Sequence, residues 1–190
     1  QQYALTVTQS CPATPEQERK QPFYMPFVVA VGDEERTLII SKETETFTFD
    51  DVAQKPIPSL LRNFSAPVIV NYEYSDADLA HLLAHDTDAF ARWNAGQKLT
   101  TCAILKLSQD IEAGENLVLP SLVSDAFGEL LDNGPDDLSF LSRLLMLPGE
   151  TYLHQQLPEV DVHPIFEARC FCMQTLATVL HDKWLSRYES

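Results

Sequence analysis

Two histidines four residues apart, His81 and His85 in "HLLAH", are the first residues whose types and spacing point to chemistry. On a helix, positions i and i+4 share a face, and zinc peptidases use that spacing in H-E-x-x-H, where two rings hold the metal and the Glu activates water. Here the residue after the first His is Leu82, so the base is missing. The longer peptidase pattern places a third ligand, a Glu, nineteen positions after the second His, where this chain has Ile104. Two imidazoles alone bind metal weakly and leave no catalytic geometry. The pair is expected to lie on a partly exposed helix face, with Asp78 and Asp86 as nearby ion partners, and no metal ligands are assigned.

Other chemistry-bearing residues fare similarly. Cysteines stand at 11, 102, 170 and 172. Cys170 and Cys172 are two apart in a helical pattern and point away from each other, so they form neither a redox pair nor half a zinc ribbon. All four thiols are expected to serve as small apolar side chains in a reducing compartment. Cys11 or Cys102 with a distant His would make a nucleophile dyad, but no spacing singles one out. There is no G-x-S-x-G elbow and no glycine-rich phosphate loop, and the chain has only six glycines. "DNGPDD", residues 132–137, lacks the alternating oxygen ligands of a calcium loop and reads as a helix end followed by an acidic helix start. Trp93 is expected on an apolar helix face, with Arg92 beside it in a salt bridge. No catalytic residue is assigned, and substrate-binding residues stay open.

Two different patterns position these residues. Residues 1–74 alternate as strands do. "YALTVTQS" sets Tyr3, Leu5 and Val7 on one face; "PFVVAVGD", "RTLIIS", "ETFTFDDV" and "APVIVNYEYS" predict four more strands. Proline-rich turns, "CPATPEQERKQP" and "QKPIPS", lie between them. From residue 75 the period becomes 3.6. Ser75 and Asp78 make a capping box, with Leu79, Leu82 and Leu83 as the buried stripe. A long helix is predicted from Thr87 to Ala113, stopped by Gly114, its stripe Phe90, Trp93, Ile104, Leu107 and Ile111. A third helix ends at Asn133-Gly134. A fourth should start at Pro135 and end at Pro148-Gly149, with a short segment near "ETYLHQQL" after it. One last helix should run from about Pro164 to the terminus. The fold class is therefore multidomain, all-β plus all-α: an antiparallel β-sandwich over 1–74, then a helical array over 75–190. Both units read as incomplete, since the first strand and the last helix run straight into the chain ends.

Thirteen basic against twenty-eight acidic residues give a net charge of −15, which argues against nucleic-acid binding. With 45% hydrophobic and 22% charged residues the composition is that of a water-soluble globular protein, and no apolar run is long enough to span a membrane.

The stretches "TQSCPATPEQERKQPFYMPFVVAV", "FTFDDV", "PIPSLLRNFSAPVIVNYEYSDADL" and "FARWNAGQKL" resemble the bacterial aminopeptidase N family, zinc-dependent gluzincins. "LPSLVSDAF", "LLMLPGE" and "ATVLHDKWLSRYES" follow in the family's order, so the resemblance covers nearly the whole chain. It implies a fragment: the β-sandwich after the catalytic domain and the first helices of the C-terminal helical domain. The family's H-E-x-x-H, third Glu ligand and G-x-M-E-N motifs have no counterpart here, so the cofactor implied is zinc in the parent and none in this segment. The implied parent is a cytoplasmic enzyme removing N-terminal residues from peptides. The implied role of the segment is to buttress the catalytic domain and help cap the active-site chamber. Its implied partners are the missing catalytic domain, the remaining helices and, through the parent, peptide. Two positions depart from the pattern: Asn94 stands where an acid is usual, and the turn Gly32–Glu35 is short. The alternative is a free-standing acidic module that binds a basic protein or peptide.

Overall fold

The computed structural model describes residues 2–52, 55–158 and 161–189. It divides into two compact units, Gln1–Tyr72 with Asp88–Ala91, and Glu73–Thr87 with Arg92–Ser190. Gln54 of the second proline-rich turn and the terminal Ser190 lie outside the described residues.

The first unit holds two small antiparallel sheets. Strand β1 (Tyr3–Thr8) pairs with β4 (Thr44–Phe49), and β2 (Met25–Val31) pairs with β3 (Glu34–Ile40) on one side and the short β5 (Ser59–Leu60) on the other. The alternation read in β1 is realised: Leu5 is buried, Tyr3 and Val7 half-buried, and Ala4, Thr6 and Thr8 exposed. On the exposed face Thr6 lies opposite Thr46, their hydroxyls 2.9 Å apart, with Thr8 and Thr44 at 3.1 Å. Such cross-strand threonine pairs fix register where no apolar core can. Inside lie Phe27, Val29, Val31, Leu38, Ile40 and Phe49. The β2–β3 hairpin closes through Gly32 at φ 61°, a left-handed position that glycine adopts without steric cost.

One expected strand does not form. Over "APVIVNYEYS" no strand exists; the fifth strand comes earlier, at Ser59–Leu60. Pro67 has no N–H to give a ladder, and the Val68 amide donates instead to the Ala66 carbonyl at 2.9 Å, closing a tight turn.

The helices are α1 (Asp76–His85), α2 (Ala89–Ala113), α3 (Ser121–Asn133), α4 (Leu138–Leu144), α5 (Glu150–His154), α6 (Val162–Val179) and α7 (His181–Glu189). Within the helical unit α1 packs on α3, α3 also meets α6 and α7, and α5 packs on α6. Leu83, Leu99, Ile104, Leu107, Phe127, Leu130, Leu144, Leu153 and Ile165 fill the interior.

Four boundaries differ from expectation, each for a local reason. Helix α2 begins at Ala89 rather than Thr87, because the Asp88 side chain accepts the Ala91 amide at 2.8 Å and so occupies the cap position. Helix α4 begins at Leu138, not Pro135: Asp137 accepts from the Ser139 and Phe140 amides and sets the start. The same helix ends at Leu144, and Gly149 instead caps the start of α5. The single last helix is two, since the buried Leu180 leaves helical geometry at φ −103°, ψ 13°. Gly114 ends α2 with φ 69°, as its position suggested. Gly134 ends α3 differently, at φ −72°; what it provides is space, because a Cβ there would lie 2.1 Å from the Leu130 carbonyl oxygen.

Candidate functional site

The capping box at the start of α1 is complete. Ser75 Oγ accepts the Asp78 amide at 3.1 Å, and the Asp78 carboxylate accepts the Ser75 amide at 3.0 Å. Asp78 is thus committed to the cap rather than to a histidine. Leu79, Leu82 and Leu83 are buried, which turns His81 and His85 outward; both are exposed, and their ring centres lie 4.9 Å apart. The helical face is as read from the sequence.

Arg92 holds the other end of α1. Its Nε donates to the Leu83 carbonyl at 2.9 Å and an Nη to the Ala84 carbonyl at 3.1 Å. A cation on the last carbonyls of a helix satisfies acceptors that have no intrahelical partner and complements the dipole. Burial lowers the Arg92 pKa, and nearby Asp86 opposes that shift. Arg92 also lies 5.8 Å over the Phe140 ring. The salt bridge expected of Arg92 is therefore a carbonyl clamp. Trp93, expected in the core, is 39% exposed.

A catalytic zinc does not fit the His81–His85 pair. Leu82 and Ile104, where base and third ligand would stand, are apolar and buried, Ile104 completely. Among the described residues no group of three or more His, Cys, Asp or Glu could hold a metal ion.

The cysteines divide by burial. Cys11 and Cys102 are exposed, against the expectation that all four would be apolar filling; Cys170 is half-buried and Cys172 fully buried. Burial pushes the Cys172 thiol up to about 11. Cys102 is raised too, first by desolvation and then by the Asp76 carboxylate. Neither is an activated thiolate. Cys11 borders a cleft of about 210 Å³ with Gln9, Lys20, Phe23 and Glu43. Its polar groups are spent on the loop: the Gln9 amide binds the Phe23 backbone and the Lys42 carbonyl, and Lys20 binds Thr14 and Gln17. No histidine lines it, so no Cys-His dyad arises there.

The sequence reading missed the corner built by "LLRNF" and Asp88. Leu61, Asn63 and Phe64 all have left-handed backbone, at φ 58°, 54° and 49°. Buried Arg62 donates through Nε to Glu35 at 2.6 Å and through an Nη to Ser59. The Asn63 amide donates to Asp88 Oδ2 at 3.0 Å, and Phe64 meets Phe90 at 5.2 Å between ring centres. Asn63 was the one available signal, since Asn tolerates left-handed backbone better than most residues.

Comparison with known proteins places this scaffold. Residues 76–190 match a domain family described as a domain of unknown function with ARM repeats (DUF3458_C), and residues 1–73 match its companion, DUF3458, described as Ig-like. The chain belongs to the DUF3458_C family, whose match takes in more than half of its residues. The chain is 34% identical over 204 residues to Aminopeptidase N of Escherichia coli strain K12, covering 100% of the chain and 23% of that protein. It is 30% identical over 200 residues to Aminopeptidase N of Haemophilus influenzae, covering 98% of the chain and 23% of that protein. Among solved structures, the crystal structure of Legionella pneumophila aminopeptidase A in complex with aspartic acid superposes with a TM-score of 0.78 at 28% identity, over 98% of this chain and 21% of that one. The chain thus spans less than a quarter of the length of these relatives. The expected resemblance to aminopeptidase N is found along its whole length, with the Ig-like and helical parts in the expected order.

Proposed function

We propose that this chain is a non-catalytic segment of a zinc-dependent aminopeptidase that removes N-terminal residues from peptides in the cytoplasm. The observation that carries the reading is the end-to-end match, at 34% identity, to a stretch making up 23% of Aminopeptidase N. In such a parent, zinc supplies an activated water for attack on the N-terminal peptide bond. The residues here would not hold that zinc, since the His81–His85 pair has neither base nor third ligand.

The work of this segment is mechanical. The sheet unit buttresses the catalytic domain, and the helical unit helps cap the active-site chamber and so restricts entry to peptide termini. Stacked helical repeats suit such a task, because each helix pair buries its apolar face on the next. Completely buried Leu83, Ile104, Leu153 and Ile165 give this array a dense interior.

Kinetics of the longer parent test the reading. Leu83→Ala removes a fully buried side chain and should loosen the helical unit without touching a zinc ligand. The capping role predicts that kcat/KM changes for longer peptides more than for an alanyl anilide, with zinc content unchanged. Equal loss on both substrates, or no loss on either, would sink the capping role.

A further inference from the structure

Helix α6 is apolar on two sides, and one of them is open to solvent. The buried side, Pro164, Ile165, Ala168, Cys172 and Leu176, faces the interior of the helical unit, where α6 meets α3 and α5. A second row, Val162, Phe166, Cys170, Met173 and Ala177, recurs at three- and four-residue steps along the same 18-residue helix. At about 100° per residue these positions fall within an arc of about 80°, beside the buried arc and distinct from it. Val162 is 55% exposed and Phe166 and Met173 each 49%; Ala177 is exposed and Cys170 half-buried. No charged side chain interrupts the row, on a chain with 28 acidic residues.

A helix at the edge of an array needs one apolar stripe, whereas a helix apolar on two sides is packed on both. Side chains at three- and four-residue steps form the ridges and grooves into which another helix fits. We infer that α6 is an interior helix of a larger array, and that its Val162–Ala177 row seats a further helix of the parent polypeptide, from outside these 190 residues. Three observations choose that occupant. Residues 76–190 match a family of ARM repeats, and in such arrays each repeat packs on its neighbours while a terminal one turns a polar face outward. Helix α7 does the opposite. Its Trp184, Leu185 and Tyr188 are exposed, while Lys183 and Arg187 reach back to Asp132 and the Pro135 carbonyl. The chain also spans only 23% of its Aminopeptidase N relatives, so a parent of that length has further polypeptide to supply the helix. The inference deepens the proposed function and rests on reading the chain as a segment of such a parent. Through this seam the segment joins the rest of the cap as one packed array.

The test is maleimide labelling of the purified, natively folded parent, with its oligomeric state measured by light scattering. Phe166→Cys puts a probe in the row, and Glu167→Cys puts one at the exposed neighbour outside it. Both fall on the tryptic peptide ending at Arg169, which holds no other cysteine, so mass spectrometry reads each thiol separately. In a monomeric parent the Phe166→Cys thiol should react about tenfold or more slowly than the Glu167→Cys thiol, because a covered thiol reacts only when its contact opens. Equal rates would overturn the inference, since the row would then face solvent in the parent. Protection that disappears as the parent is diluted from dimer to monomer would overturn it too, because a second copy would be the cover. Hydrolysis of an alanyl anilide by the wild-type parent keeps the two proposals apart. Equal labelling in an active parent sinks the seam alone, and slow labelling in a parent without turnover sinks the aminopeptidase reading alone.

Discussion

Asp88→Ala tests whether one buried carboxylate organises the corner around "LLRNF". Asp88 is 6% exposed, and its two oxygens accept two separate backbone amides: Ala91 on Oδ1 at 2.8 Å and Asn63 on Oδ2 at 3.0 Å. Loss of the helix cap costs about 0.5–2 kcal/mol. Loss of a hydrogen bond to a charged acceptor, in a part-buried place, costs about 1.5–3 kcal/mol. Because both bonds come from one side chain the losses are not strictly additive, and a combined cost of about 2–4 kcal/mol is expected. At about 1.4 kcal/mol per decade, that is roughly a 30- to 700-fold shift in the local opening equilibrium. Amide hydrogen exchange reads it directly, since Asn63 and Ala91 should lose protection together while the α5–α6 region keeps its own. Asp88→Asn keeps the side chain's shape with a single acceptor oxygen, so it should fall between wild type and Ala. If Asp88→Ala changes exchange at Asn63 and Ala91 by less than about threefold, under 1 kcal/mol, the carboxylate is not holding the corner.

Two further predictions concern packing and protonation. Gly134→Ala should destabilise the helical unit by about 1–3 kcal/mol or more, because the new Cβ would meet the Leu130 carbonyl oxygen at 2.1 Å and Leu141 Cδ1 at 2.9 Å, and a backbone atom cannot step aside cheaply; a denaturation midpoint equal to wild type would refute the close approach. Desolvation pushes the buried Cys172 thiol up from the ordinary thiol range to about 11. The fold therefore favours the neutral thiol, and the stability tied to it is fully present below about pH 9 and lost as pH rises through about 11. That loss amounts to about 2–3 kcal/mol and should vanish from the pH profile in Cys172→Ala, with lysine and tyrosine titrations common to both proteins. An identical alkaline slope in the two proteins would contradict it.

The legible parts of this molecule were those governed by local rules. Strand alternation in "YALTVT" and the apolar spacing of Leu79, Leu82 and Leu83 each report which face is buried, and the structure agrees. The Ser75–Asp78 box also needed only four residues of sequence. What could not be read depended on distant partners. "APVIVNYEYS" alternates like a strand, but a strand exists only where a neighbour offers a ladder, and Val68 spends its amide on Ala66. Asp88 fell inside the helix predicted from Thr87, and nothing local marked its bond to the Asn63 amide, 25 residues away. Trp93 and the exposed Cys11 and Cys102 misled because apolar character is a one-way guide to burial. At the candidate site, the exposed His pair was legible from i, i+4 spacing, whereas the carbonyl clamp of Arg92 required the turn between α1 and α2 to be known.

The central proposal is that this chain is part of an aminopeptidase without carrying its chemistry. The most direct measurement is hydrolysis of an alanyl anilide, with zinc content determined in the same samples, for the 190-residue chain and for the longer parent polypeptide. The account predicts turnover and tightly bound zinc in the parent. In the chain alone it predicts no turnover, even with Zn²⁺ added. Turnover by the chain alone that disappears in His81→Gln or His85→Gln, or a parent that cannot cleave N-terminal residues, would contradict it.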